Sequence, residues 1–165
     1  MRPLTIAILG AAALLAACSD TEQAVDPSAT AGAADGAGGA QATNTVEYFN
    51  VVVGDRVFFD TDRHELTSEA QLVLSKQAQW FAANPGATAV IEGHADERGT
   101  REYNLALGAR RANSARAFLI SQGTEGSRLR TVSYGKERPV ALGSTPEAWS
   151  QNRRGVTVVA AVPTS

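Results

Sequence analysis

The chain has 165 residues, enough for one domain of ordinary size with appendages, and its formal net charge is −2. Residues 18–45 carry four acids and no base, whereas residues 46–165 carry 13 acids and 14 bases, so the part with globular composition is close to neutral. This balance argues against a nucleic acid or another polyanion as the partner. The single cysteine, Cys18, excludes an intrachain disulfide and a cysteine-based metal site.

The first 17 residues have the build of a secretory signal. They read MRPLTIAILGAAALLAA, a basic start followed by an apolar run of about 14 residues that is too short to cross a bilayer comfortably. The run ends in Leu15-Ala16-Ala17-Cys18, which resembles the bacterial lipobox. The resemblance implies cleavage before Cys18 and acylation of both its sulfur and the new amino terminus; an ordinary signal with an incidental cysteine is the alternative. Because Ser19 rather than Asp follows the cysteine, we expect the outer membrane as the destination.

Residues 19–45 indicate a flexible tether between this anchor and the domain. The stretch consists mainly of Gly, Ala, Ser, Thr and acids, has no aromatic residue, and cannot bury enough apolar area to offset the entropy of ordering it. As a random coil it would average roughly 29 Å from end to end, and fully extended it would reach roughly 90 Å. The predicted organisation is therefore a signal over 1–17, a lipidated cysteine and linker over 18–45, and a domain over 46–165.

The domain begins with alternating β-type and helical patterns. VEYFNVVVGDRVFF predicts two short strands with a turn at Gly54-Asp55. Thr67 or Ser68 is expected to cap a helix that runs to about Ala83 and stops at Asn84-Pro85-Gly86. ATAVIEGH, residues 87–94, has the continuous apolar character of a buried strand.

The second half predicts the remaining layers of the fold. A helix is expected from about Tyr103 to Gln122, ended by Gly123, followed by the strand RTVSYG (130–135), a loop with a short helical turn around Trp149, and the closing strand GVTVVAAV (155–162). The order β-β-α-β-α-β predicts an α/β two-layer sandwich whose helices cover one face of the sheet.

Residues 93–112, GHADERGTREYNLALGARRA, concentrate acids and arginines around the start of this second helix. Asn104 and Arg111 are seven residues apart, so they lie about 20° from each other on the flank of the apolar stripe, near the loop that carries Asp96. An Asp that accepts from an ammonium and an Arg that grips a carboxylate suit a zwitterionic ligand. The alternatives are a simple Asp96–Arg111 pair or a solvated basic face, the assignment we give to Arg101, Arg110 and Arg116.

The cluster resembles the signature of the OmpA-like peptidoglycan-binding domain. DERGTREYNLALGARRA, TVSYGKERP and the later NRR (152–154) are similar to the peptidoglycan-associated lipoprotein branch of that family, over about residues 50–162. The resemblance implies an OmpA C-terminal-like fold with a mixed sheet, and non-covalent recognition of the meso-diaminopimelate residue of the peptidoglycan stem peptide. It also implies a role in the Tol–Pal system, in envelope integrity and in outer-membrane constriction during division.

Matching the family's motif residue by residue gives expected contacts in this chain. Asp96 would hold the ammonium of diaminopimelate and Arg111 its carboxylate, while Asn104 would brace the loop or the ligand. Ala95 and Thr61 would contribute backbone groups, although many relatives have Thr and an aromatic residue there. Asp62 would line the opposite wall, with Asp60 as the alternative if the register slips by two residues. The full expected set is Asp62, Thr61, Ala95, Asp96, Asn104, Leu107 and Arg111. We expect Arg111→Leu to abolish binding with little change in thermal unfolding.

The sequence gives little support for catalysis. His94 and Asp96 form an H-x-D pair with no third ligand at metal spacing, and no G-x-S-x-G motif is present, so we expect no enzyme activity, no metal and no cofactor. His94 is more simply a partly buried, hydrogen-bonded residue. The expected partners are peptidoglycan, the β-propeller protein TolB and other envelope proteins, with no nucleic acid. A lipid-anchored protein-interaction module is the alternative function, and a metal-dependent wall hydrolase is a weaker one.

Overall fold

A computed structural model describes residues 43–161. The predicted signal over 1–17, the lipidation site Cys18 and the tether up to residue 42 lie outside the described residues. The described part starts three residues before the predicted domain boundary at Val46, and the Nε1 atom of Trp80 donates to the carbonyl oxygen of Thr43 over 2.8 Å. No helix in the described range is both long and apolar enough to cross a membrane.

Helices and strands alternate along the described chain. The helices are α1 (Val46–Tyr48, continued as a π-helix over Phe49–Gly54), α2 (Ser68–Ala83), α3 (Arg101–Ser121) and α4 (Pro146–Asn152). The strands are β1 (Arg56–Phe58), β2 (Thr88–His94), β3 (Leu129–Gly135) and β4 (Arg154–Ala161), with a 3₁₀ turn over Gly126–Arg128 before β3.

The strands form one mixed sheet in the order β1-β4-β2-β3. β2 and β3 are parallel and are joined by the crossover helix α3, whereas β4 is antiparallel to both β1 and β2. Alternate strand residues such as Ile91 and Val57 share one buried cluster with Leu74 and Phe81 of α2 and Leu119 of α3. Phe58 and Val158 on the other face are about half exposed. The predicted two-layer α/β sandwich is confirmed.

Helices α2 and α3 lie within about two residues of their predicted boundaries, because threonine side chains cap their first turns. Thr67 caps α2 by accepting from the amide of Ala70 over 3.2 Å, and Thr100 caps α3 by accepting from the amide of Tyr103 over 3.2 Å. α3 therefore starts two residues earlier than expected, at Arg101. Gly123, which follows the end of α3, adopts φ +95°, a conformation that glycine tolerates best.

The prediction of a strand before Gly54 is wrong, because Val46–Gly54 is helical. Thr45 caps this helix by accepting from the amide of Tyr48, and Phe49 is fully buried with its ring centroid 4.8 Å from that of Trp80. Phe49 and Val53, one helical turn apart, both face the core, whereas Val51 is 83% exposed. Burial of this i, i+4 pair outweighs the β-propensity of the Val-Val-Val run, which periodicity alone could not show.

A glycine pair brings β2 against α3. A Cβ atom added to Gly93 would lie 1.8 Å from the carbonyl oxygen of Gly108, so only glycine allows the two backbones to approach this closely. Arg111 lies one turn beyond Gly108, beside the end of β2. The contact between Gly93 and Gly108 therefore sets the position of Arg111 relative to the loop after β2.

Candidate functional site

A cavity of about 280 Å³ opens where the loops after β1 and β2 meet the first turns of α3. It contains six of the seven residues predicted for the site, together with three that were not predicted. Its lining consists of Thr61, Asp62, Asp96, Arg98, Gly99, Tyr103, Asn104, Leu107 and Arg111. A larger cavity of about 530 Å³ lies beside β1, has a mainly apolar lining, and contains neither Asp96 nor Arg111.

Arg111 lies at the buried end of the charged cavity. Its side chain is fully buried, and its guanidinium donates to the carbonyl oxygens of Arg63 (2.8 Å), His94 (2.8 Å) and Asp60 (3.0 Å). Burial and the nearby charge of Arg153 lower the pKa of Arg111 to about 10, although Asp96 and Asp62 partly offset this. No carboxylate within residues 43–161 forms an ion pair with Arg111. Its positive charge is thus fixed in place by dipoles rather than neutralised.

Asp96 is held by a different arginine. Arg98 donates from Nη2 to Oδ2 over 2.7 Å and from Nε to Oδ1 over 3.1 Å, and its backbone amide also reaches Oδ1 over 3.1 Å. Arg153 Nη1 lies 3.4 Å from Oδ2. Burial raises the pKa of Asp96, but the hydrogen bonds from Arg98 outweigh it, so the pKa lies below its ordinary value. The interpretation of Asp96 and Arg111 as a simple pair does not match this geometry.

Asp62 supplies the second carboxylate of the cavity. Its backbone lies in the left-handed region at φ 59°, an uncommon conformation that turns the loop after β1 back toward α3. Its carboxylate accepts a hydrogen bond from the hydroxyl of Tyr103, and this bond raises the pKa of Tyr103. Asp60, the alternative residue, lines other cavities and meets Arg111 only through its carbonyl. Of the two alternatives, Asp62 therefore places its carboxylate in this cavity and Asp60 does not.

Of the other predicted residues, one supports the loop after β2 and two line the cavity without a charge. Asn104 is 1% exposed and donates from Nδ2 to the carbonyl of Arg98 over 2.8 Å, so it braces the loop. Leu107 and Thr61 line the cavity. Ala95 does not, and its amide donates to the carbonyl of Gly135 over 2.8 Å. The amide of Ala95 is thus already used by β3, and the expectation that Ala95 offers backbone groups to a ligand stays a prediction.

Arg98, Gly99 and Tyr103 were not predicted as lining residues. Arg98 and Tyr103 belong to the quoted cluster, but an exposed arginine and tyrosine near a helix start usually face solvent. The spacing of Arg98 from Asp96 was an available signal, since side chains two residues apart in a tight loop can point to the same side. Arg153, from the NRR motif, donates to the carbonyl of Phe59 over 3.0 Å as well as to Asp96.

His94 sits behind the cavity at the end of β2. It is 1% exposed, its Nε2 atom lies 3.4 Å from Oε2 of Glu92, and its Nδ1 atom has no hydrogen-bond partner among residues 43–161. Burial, followed by the charges of Arg154 and Arg138, lowers the pKa of His94 to about 4. Across the part of the chain that the structure describes, no three side chains of His, Cys, Asp or Glu converge as metal ligands.

The fold and the charged cavity define a known class of domain. A model of the OmpA family matches residues 58–153, and the chain therefore belongs to the OmpA family. The matched range runs from the end of β1 to the residue before β4 and includes every residue that lines the charged cavity.

Individual relatives narrow this assignment. The peptidoglycan-associated lipoprotein of Rhizobium meliloti (strain 1021) is 52% identical over 157 residues, which cover 95% of this chain and 87% of the relative. That of Haemophilus influenzae is 38% identical over 152 residues, covering 92% and 94%. The predicted membership of the peptidoglycan-associated lipoprotein branch is confirmed.

Solved structures agree with the fold. The crystal structure of the peptidoglycan-associated lipoprotein from Burkholderia pseudomallei is 42% identical, with a TM-score of 0.62, and the match covers 64% of this chain and 89% of that one. The C-terminal domain of Helicobacter pylori MotB is 21% identical, with a TM-score of 0.61 over 65% of this chain and 84% of that one. At that identity the second match shows the fold alone.

Proposed function

We propose that the protein binds peptidoglycan non-covalently through the free zwitterionic head group of meso-diaminopimelate. The observation that carries the proposal is the uncompensated charge of Arg111 in a cavity that also holds Asp62 and Asp96. The names of the relatives, peptidoglycan-associated lipoproteins, support peptidoglycan as the polymer that is bound. A ligand with one ammonium and one carboxylate matches this set of charges, whereas a simple anion could pair with Arg111 but would offer no cation to the two acids.

In this proposal each charged group of the ligand has its own partner in the cavity. A guanidinium has five N–H donors, and Arg111 uses three on backbone carbonyls, which leaves two for a ligand carboxylate. Asp96 and Asp62 accept from the ligand ammonium. Each charge-assisted hydrogen bond of this type contributes about 1.5–3 kcal/mol, so two or three are enough to select a small charged head group. Because Arg111 cannot move without breaking its carbonyl contacts, its part of the site is organised before the ligand arrives.

The remainder of the proposed function concerns the anchor. Lipid chains on Cys18 would hold the protein in the outer membrane, because two or more acyl chains give stable anchoring. The segment over 18–45 would span the gap, and the domain would grip the cell wall from the periplasmic side. Binding of this kind links membrane and wall without a chemical reaction. As in the Tol–Pal system that the family resemblance implies, TolB would be a competing protein partner, since two ligands that need one face exclude each other.

Sedimentation with purified peptidoglycan tests the wall-binding proposal. We expect the full chain in mild detergent to co-sediment with peptidoglycan and to be released by free meso-diaminopimelate. Asp96→Asn should lower the bound fraction at least tenfold, whereas Glu97→Gln, which changes a neighbouring acid outside the cavity lining, should not. Binding that survives both the competitor and Asp96→Asn would place the wall contact elsewhere.

Membrane fractionation tests the anchor separately. Cys18→Ser should release the protein from the outer-membrane fraction while leaving peptidoglycan binding by the purified protein unchanged, because the cavity lies entirely within the domain. Persistent membrane association of the Cys18→Ser protein would show that another segment provides the anchor. The two experiments thus separate the wall-binding half of the proposal from the membrane half.

A further inference from the structure

The carboxylate assigned to the ligand ammonium is already occupied by a side chain of the same protein. Arg98 approaches both oxygens of Asp96, with Nη2 at 2.7 Å from Oδ2 and Nε at 3.1 Å from Oδ1. A bidentate pair of this kind leaves few open lone pairs on the carboxylate for a second cation. An ammonium group that reaches Asp96 must therefore share the carboxylate with Arg98 or take its place.

The Arg98 side chain can move away from Asp96 more easily than the side chain of Arg153, the other partner of Asp96. The Arg98 side chain is 41% exposed, whereas the Asp96 side chain is 9% exposed. Arg153 is 14% exposed and is also tied to the carbonyl of Phe59. Moving Arg98 outward breaks its bonds to Asp96 and a long 3.4 Å contact to the hydroxyl of Thr61, and it leaves no buried group of its own unpaired.

Trp149 provides a cation–π contact for the guanidinium of Arg98 once it has left Asp96. The Cζ atom of Arg98 lies 4.2 Å from the centroid of the Trp149 ring, a cation–π distance. The ring itself is held by a 3.0 Å hydrogen bond from its Nε1 atom to Oε1 of Glu97. Arg98 can thus swing away from Asp96 and keep its contact with the indole face.

We propose that Arg98 is a displaceable occupant of Asp96: it pairs with the carboxylate in the free protein and yields it to the ligand ammonium, while its guanidinium stays against Trp149. This inference rests on the proposed function and adds a specificity-determining residue to it. A ligand with an ammonium replaces one cation by another, so the charge of the buried carboxylate stays compensated. A ligand without an ammonium would have to leave Arg98 in place and so could not enter fully, because a buried unpaired carboxylate is costly.

Calorimetric titration of the full chain with free meso-diaminopimelate measures the competition. Arg98→Gln removes the internal cation, and we expect it to bind meso-diaminopimelate about tenfold more tightly than the unmodified protein. Arg98→Lys keeps the positive charge but lacks the planar fork that forms two parallel bonds to a carboxylate, so its affinity should lie between those of Arg98→Gln and the unmodified protein. Arg101→Gln is the matched control, because Arg101 is 63% exposed, pairs with Glu137 and does not line the cavity. The affinity of Arg101→Gln for meso-diaminopimelate should equal that of the unmodified protein.

The fluorescence of Trp149 reports the movement directly. When Arg98 leaves Asp96, the guanidinium over the indole loses the carboxylate that compensates its charge. Saturation with meso-diaminopimelate should therefore alter the emission with the same midpoint as the calorimetric titration. The change should vanish in Trp149→Phe, which retains Trp80 in the core, and in Arg98→Gln. A purely structural role for Arg98 would not produce a ligand-dependent signal at Trp149.

The outcomes separate this inference from the proposed function. Tighter binding by Arg98→Gln together with a Trp149 signal supports displacement. Weaker binding by Arg98→Gln, or binding without any Trp149 signal, overturns displacement while the wall-binding proposal stands. If neither meso-diaminopimelate nor peptidoglycan binds the unmodified protein, the proposed function fails and displacement fails with it.

Discussion

The two arginines that line the cavity, Arg111 and Arg98, are held in opposite ways. Arg111 is fully buried and donates to three backbone carbonyls from two different segments, the loop after β1 and the end of β2. Arg98 is 41% exposed at its side chain, pairs with a carboxylate and lies on an aromatic ring. Identical side chains thus supply a fixed charge at one wall of the cavity and a replaceable one at the other.

The difference follows from what each guanidinium contacts. Backbone carbonyls hold a cation in place without cancelling its charge, so Arg111 remains able to bind an anion. A carboxylate cancels the charge of Arg98 and leaves little attraction for a second anion. The comparison indicates that removing Arg111 damages the fold as well as the site, whereas removing Arg98 alters the site alone.

The largest expected effect is on folding and comes from Arg111→Leu. The substitution leaves the carbonyls of Asp60, Arg63 and His94 without their donors, and each unsatisfied buried group costs about 1–3 kcal/mol. We expect the free energy of unfolding in urea to fall by about 3–5 kcal/mol. Arg110→Leu changes the exposed neighbour and should shift the free energy by less than about 0.5 kcal/mol. Equal stability of the two variants would contradict the carbonyl-anchoring role of Arg111.

This prediction from the structure replaces the expectation, drawn from the sequence, that Arg111→Leu leaves thermal unfolding almost unchanged. The helical wheel places Arg111 on the flank of the apolar stripe, from which binding without structural importance was a reasonable expectation. Its full burial depends on Gly93 and Gly108, which bring the strand and helix backbones together, and on a loop more than 45 residues earlier that folds over it. Spacing along one helix contains no information about either feature.

The pH dependence of stability provides a second test, at His94, whose carbonyl helps to hold Arg111. His94, whose carbonyl accepts from Arg111, has a pKa lowered from 6.5 to about 4 in the folded protein. The unfolded chain therefore binds more protons between these values, and the stabilising contribution, complete above about pH 6.5, is lost as the pH falls towards 4. Between pH 7 and 4.5 we expect the unfolding free energy to drop by about 2 kcal/mol more than in His94→Leu.

Urea unfolding at several pH values measures this difference. His64→Gln removes the other described histidine, which lies on the loop after β1, and should retain the full acid sensitivity of the unmodified protein. Parallel pH profiles for the unmodified protein and His94→Leu would show that His94 is not the group whose protonation destabilises the fold. The ring is buried among Glu92, Tyr134, Arg138 and Arg154, so the change is compared within each variant rather than between their absolute stabilities.

The sequence predicted the parts of the structure that depend on local signals. The Thr67 cap and the apolar run of β2 gave a helix and a strand close to the observed ones, and the charged cluster around Asp96 and Arg111 identified the cavity. The helix over Val46–Gly54 was missed because its stability comes from Phe49 packing against Trp80, a contact distant in sequence. The pairing of Asp96 with Arg98 was missed for a different reason: several arginines surround Asp96, and loop geometry decides among them.

The third prediction concerns the ligand rather than the protein. Since Arg111 has an uncompensated charge, converting the free carboxylate of diaminopimelate to an amide should weaken binding about tenfold to a hundredfold, the equivalent of about 1.4–2.8 kcal/mol. Competition for peptidoglycan sedimentation with amidated and unmodified meso-diaminopimelate measures this ratio. Equal competition by the two compounds would indicate that Arg111 serves the fold and does not contact the carboxylate.

The smallest expected effect distinguishes the two acids after β1. Asp62 lines the cavity and accepts from Tyr103. In the proposed complex its carboxylate adds a second, solvent-exposed contact to the ligand ammonium. Exposed charge pairs contribute about 0.2–1 kcal/mol, and Asp62→Asn should therefore weaken meso-diaminopimelate binding only about two- to fivefold. Asp60→Asn is the matched control, because Asp60 contacts Arg111 through its carbonyl, which the substitution leaves intact. If Asp60→Asn instead caused the larger loss, the carboxylate that faces the ligand would be the one two residues earlier, and Arg111 would then have an acid beside its carbonyl contacts rather than across the cavity.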